Sequence, residues 1–150
     1  MVEIESIGFL LDRLVIANIK INRWTSEGAD GIKVASTDKE RIALRESIDR
    51  KLIESIRSGE YHYHVEERTY PITPEKLLGE GIGDILERLI TANLNLSNWN
   101  HAVIEEEKKE NPDLKKMLDL DRNLRATNED RVAAKNAIDK KLKELIEKSR

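Results

Sequence analysis

The stretch Ile7-Gly8-Phe9-Leu10-Leu11-Asp12-Arg13-Leu14-Val15-Ile16-Ala17-Asn18, running on to Trp24, returns later in the same chain. It reappears as Ile82-Gly83-Asp84-Ile85-Leu86-Glu87-Arg88-Leu89-Ile90-Thr91-Ala92-Asn93, running on to Trp99, at a shift of about 75 residues, half the chain. Ile, Gly, Leu, Arg, Ala, Asn and Trp recur at matched places. A repeat of this length constrains architecture more than local propensity does. It predicts a duplicated helical unit and names no function.

The helical period is clear in both copies. Ile7, Leu10, Leu11, Leu14, Ala17 and Ile21 share one face of a first helix over about 5–24, and Ile82, Ile85, Leu86, Leu89, Ala92 and Leu96 share one face of a third. Ser36-Thr37-Asp38-Lys39-Glu40 has the form of a capping box, which places the start of a second helix there, with Ile42, Ile48, Leu52, Ile53 and Ile56 at helical spacing and Ser58-Gly59 as its stop. Thr127-Asn128-Glu129-Asp130-Arg131-Val132-Ala133 matches Thr37-Asp38-Lys39-Glu40-Arg41-Ile42-Ala43 at a shift of about 90. The second unit therefore carries about 15 extra residues, read as a helical turn or two leading into the fourth helix.

Between the units, Tyr61-His62-Tyr63-His64-Val65 alternates with strand period and predicts an extended connector, ending at Thr73-Pro74-Glu75 as a helix start. The third helix is expected from near Pro74, with a hitch at Gly79, Gly81 and Gly83. The fold expected is all-α: a four-helix bundle of two tandem αα-hairpins with pseudo-two-fold symmetry. Repeat 1 covers about 5–58, a linker about 59–73, and repeat 2 about 74–148. One domain is expected, because neither hairpin could bury its apolar stripe alone.

Composition agrees. Charged residues are 37% of the chain and aromatics 4%, so solvated outer faces and an aliphatic core are expected. The net charge of −3 lacks the basic excess of a nucleic-acid binder. The chain has no cysteine, which excludes disulfides, zinc–thiolate sites and thiol nucleophiles. Met1-Val2-Glu3-Ile4-Glu5 lacks the basic start of a signal peptide, and no apolar run approaches a bilayer span. No membrane association and a cytoplasmic location are the expectations. His62 and His64 fall on one face of the connector, but no Glu-x-x-His or His-Glu-x-x-His pattern accompanies them. Neither metal nor cofactor is expected.

Polar residues fall where apolar ones belong. Asn18 and Asn93 project near the middle of the first and third stripes. Arg41, Arg45 and Asp49 fall within the apolar arc of the second helix, and Arg131, Lys135 and Asp139 within that of the fourth. A buried charge is costly unless paired, so a polar layer is expected, with Arg45–Asp49 and Lys135–Asp139 pairing at i,i+4. Trp24 and Trp99 close the edges of the stripes as caps or as walls of a pocket.

Such a layer has two readings. In the first it fixes helix register in a non-enzymatic binding or assembly module, whose partner is another copy or another protein. In the second, Arg41, Arg131, Arg45 and Lys135 hold an anionic small molecule between the hairpins, in a small enzyme or ligand binder.

Overall fold

The structure, a computed structural model, describes residues 5–28, 30–63, 77 and 79–149. Four helices follow in order: α1 (Ile7–Ser26), α2 (Gly31–Ser58), α3 (Ile82–Glu107) and α4 (Leu114–Lys148). The fold is all-α, with no strand among the described residues. α1 pairs with α2 and α3 with α4, while α1 also packs across both α3 and α4. α2 packs chiefly on α1.

Each helix starts where a side chain meets its free amides. The first amides of a helix have no partner within it. Ser6 caps α1 by accepting from the Phe9 N–H at 3.0 Å. Asp30 caps α2 through the Ile32 N–H, so α2 begins well before the predicted Thr37–Glu40 box, which lies inside the helix. The Asp84 carboxylate reaches back to the Gly81 N–H, and α3 begins at Ile82, after the glycines. α3 does not run back through Gly79–Gly81, which are not helical, and the expected start near Pro74 lies outside the described residues. Asp113 caps α4 by accepting from the Lys115 and Lys116 N–H groups. The inserted residues simply lengthen α4, one continuous helix of 35 residues. α2 ends at Gly59, whose φ of 71° is the left-handed turn that glycine adopts without strain. The alternating connector is non-helical over Tyr61–Tyr63. Its remainder, His64 included, lies outside the described residues.

The predicted stripes of α1 and α3 are the ones that face inward. Ile85, Leu89, Ala133, Ala134, Ala137 and Ile138 form the α3–α4 core. Leu10, Ala17 and Leu44 form the α1–α2 core, and Ile7, Tyr61 and Ile146 join the two. The alanines on α4 let its neighbours approach closely. Gly8 shows how closely: a Cβ built there lies 2.5 Å from the Lys135 carbonyl oxygen and 2.7 Å from Asp139 Oδ2.

α2 departs from expectation. Its stripe is only partly covered, with Ile42, Ile53 and Ile56 exposed. Among the described residues no helix is long and apolar enough to cross a membrane.

Gly8 supplies the first prediction. Gly8→Ala forces α1 away from the α4 backbone, because one contacted atom is a main-chain oxygen that cannot swing aside. The variant should lose about 2 kcal/mol, the cost typical of overpacking, in urea denaturation followed by circular dichroism.

Candidate functional site

Two polar clusters are buried where α1 meets the second hairpin. The first closes the start of α1. Its three leading amides each find an acceptor from a different part of the chain. Phe9 N–H donates to Ser6, Ile7 N–H donates to the Tyr61 hydroxyl at 2.9 Å, and Gly8 N–H donates to Asp139 Oδ1 at 2.8 Å. The Tyr61 hydroxyl in turn donates to the same Asp139 oxygen at 2.5 Å. Asp139 and Tyr61 are both fully enclosed. A carboxylate at a helix start also meets the positive end of the helix dipole.

Burial pushes the Asp139 carboxyl up from its ordinary value. Hydrogen bonds from Ser6, Tyr61 and Gly8, and the charge of Lys135, act against that rise. Burial, then the Asp139 charge, pushes the Tyr61 phenol far above its usual range.

The second cluster sits one turn further along α1. Asp12, 3% exposed, accepts from Asn93 Nδ2 at 2.9 Å and from Arg131 Nη1 at 2.5 Å. Asn93 also donates to the Leu89 carbonyl, and Arg131 Nε to Asn128 Oδ1. This ties α1, α3 and α4 together at one point. No buried side-chain nitrogen or oxygen lacks a hydrogen bond among the described residues.

The ten predicted site residues divide sharply. Asn93 and Arg131 meet in the second cluster, Asp139 lies in the first, and Lys135 stands near the Phe9 ring at 5.9 Å. The other polar four are not in a layer, because α2 is not covered on that side. Asn18 is exposed and donates to the Leu14 carbonyl of its own helix. Arg45 and Asp49 are exposed, and Arg41 pairs with Asp38 on its own helix at 2.9 Å. Trp24 and Trp99 are half-buried, with Lys33 over the Trp24 ring at 4.2 Å, and neither lines a cleft.

The sequence reading passed over Asp12, Gly8, Ser6 and Tyr61. Gly8 and Asp12 lie a turn apart on a side of α1 away from its main stripe, and α4, joined at Asp12 by Asn93 of α3, makes that side an interior. A cue was present nonetheless, since Val15 and Ile19 continue the same side with apolar residues.

Above the second cluster, α1, α3 and α4 leave an open cleft of about 900 Å³. Asn93 and Arg131 reach it, with Ile16, Ile19, Leu96 and Arg23 along its walls. A second groove of about 720 Å³ runs beside α3, lined by Glu80, Asp84, Glu87 and Asp130 with Arg88.

The arrangement defines an all-α protein whose buried polar groups are committed to one another. Comparison with known protein families, curated proteins and solved structures finds no match.

Two predictions follow from these clusters. Arg131→Ala strands the buried Asp12 charge and should cost about 3 kcal/mol, the usual penalty for breaking a buried pair. The double variant Asp12→Leu with Arg131→Met should recover most of that loss, since Asn93 keeps its bond to Leu89; chemical denaturation of the native chain and both variants checks it.

For Asp139 the sign is that of a carboxyl raised in the fold. The folded chain holds its proton to higher pH than the unfolded chain does. Stability is therefore lost as pH climbs from the ordinary value of 3.8 through the raised one. Asp139→Asn should remove that limb of the stability–pH curve while keeping an acceptor for Gly8 and Tyr61. Asp139→Leu should lose about 3 kcal/mol at neutral pH by leaving both donors unmet.

Proposed function

We propose that this chain is a non-enzymatic helical assembly module, built by duplication of one αα-hairpin. One observation carries the reading: among the described residues every buried polar side chain finds a hydrogen-bond partner, while two apolar helix faces stay open. Closed polar clusters suit a role in fixing how helices seat, because a half-satisfied network would be worse than an apolar core. Matched places in the two halves support the duplication, with Asp12/Glu87, Asn18/Asn93, Arg41/Arg131 and Asp49/Asp139 in register. Asp38 holds Arg41 as Asn128 holds Arg131, each through Nε.

The open faces suit a protein partner. Ile42, Ile53 and Ile56 on α2, with Ile90 and Leu94 on α3, are exposed large apolar residues. Scattered singly such residues mean little, but rows of them on a helix face mark interaction surfaces.

A second reading has one observation in its favour. Arg131 and Asn93 reach the cleft between α1, α3 and α4, where Lys20, Arg23 and Arg125 also stand. An anionic small molecule would suit that charge. Thermal-shift measurements with phosphate and citrate, against chloride at equal ionic strength, separate the two. The assembly reading expects no stabilisation beyond that of chloride. An anion-specific rise in Tm that disappears in Arg131→Met would replace it with the ligand reading.

A further inference from the structure

We propose that a second copy of this chain covers the two open faces, with α2 of one copy laid along α3 of the other. A two-fold axis makes the contact twice. The inference rests on the assembly-module reading and names its partner.

The chain displays both halves of the contact it would make. Within one chain, α1 lies on α4, with Gly8 on the α4 backbone and Asp139 on the α1 amides. The sequence counterparts of these surfaces are α3 and α2, and each is bare. Gly83 matches Gly8, yet among the described residues a Cβ there would meet nothing within 4 Å. Glycine early in a helix weakens it, and no described residue requires one at Gly83. A backbone pressed against it from outside would. Gly83, Glu87, Ile90 and Leu94 fall on one side of α3 at turns apart, and that side stays exposed.

The complementary surface on α2 matches feature for feature. Ile146 on α4 is 6% exposed beneath α1, whereas its counterpart Ile56 on α2 is 63% exposed. Asp139 is buried, whereas Asp49 is exposed. Arg41 is held through Nε by Asp38, and its Nη groups bond no described residue. In the buried copy of this arrangement, the corresponding Arg131 nitrogen reaches Asp12.

The groove side carries an acidic excess. The groove beside α3 is lined by Glu80, Asp84, Glu87 and Asp130 with Arg88, which pairs with Glu80, and the α2 face brings Arg45 and the Asp38-held Arg41 together with Asp49. Seated together, Asp49 would accept from the Gly83 amide of the other copy, and Arg41 and Asn18 would reach its Glu87. Each copy offers both surfaces, which is the condition for an isologous dimer.

The absence of cysteine makes the test clean. Asp49→Cys and Gly83→Cys chains are mixed under a glutathione redox buffer, and the linked peptides are identified by mass. A disulfide between positions 49 and 83 of different chains is expected. Sedimentation of the native chain should give twice the single-chain mass. Gly83→Leu has room within one chain, so it should stay folded and sediment as a single chain. Glu87→Arg should weaken the dimer at least about tenfold, and adding Arg41→Glu should restore it, as matched charge reversal does at an interface. A native chain that stays single at all concentrations overturns the proposal. So does a chain carrying both Asp49→Cys and Gly83→Cys that closes its disulfide within itself, which would put α2 on α3 internally. Either result leaves the anion titration, and with it the assembly reading, to stand or fall separately.

Discussion

Asp139 is the contact on which the arrangement of the four helices depends. A single carboxylate oxygen takes the Gly8 amide and the Tyr61 hydroxyl, and Tyr61 takes the amide before it. Three separated segments thereby share one buried point. Leaving a helix start buried without acceptors would cost each stranded amide its desolvation penalty. The close approach that brings the carboxylate there requires that residue 8 have no side chain. Geometry and hydrogen bonding are thus one constraint. The helix cannot be capped from α4 unless it touches α4, and it cannot touch α4 unless it is glycine at the contact.

The Asp12 cluster adds a second fixed point one turn away. Two points on one helix fix both its position and its rotation against its neighbours, which aliphatic packing alone does loosely. A buried ion pair is weak evidence for stability, since a well-packed apolar pair can do as well. Its contribution here is to register. Asp12 can be satisfied only where Asn93 and Arg131 both reach it, so sliding α1 by a turn would unpair all three.

Much of this was legible in the sequence, and the remainder has a common cause. The inward stripes of α1 and α3 could be read because a single buried face leaves a single period. The polar places on α4 could be read because Asp139 interrupts an aliphatic arc. Of the groups acting on it, Lys135 is near in sequence and could be read, whereas Gly8 and Tyr61 are near only in space and could not. Arg41, Arg45 and Asp49 carry the same pattern as their α4 counterparts, yet Arg45 and Asp49 lie exposed and Arg41 only half-buried. Periodicity says which residues share a face and is silent on what covers it. Asp12 was missed for the converse reason: a second helix made an interior of a side that α1 alone would leave wet. Tyr61 read as part of an extended connector; it lies in a non-helical stretch, and its ring packs with Ile7 and Ile146.

The capping of α1 also orders events in time. α1 leaves the ribosome before α4, and its hairpin with α2 is complete in sequence by Ser58. The acceptors for its Ile7 and Gly8 amides are Tyr61 and Asp139, and the second of these is 131 residues downstream. Contacts so distant in sequence form late and slow a fold. Until α4 has been made, the start of α1 stays hydrated at a place that later becomes enclosed. A helix made late completes one made much earlier.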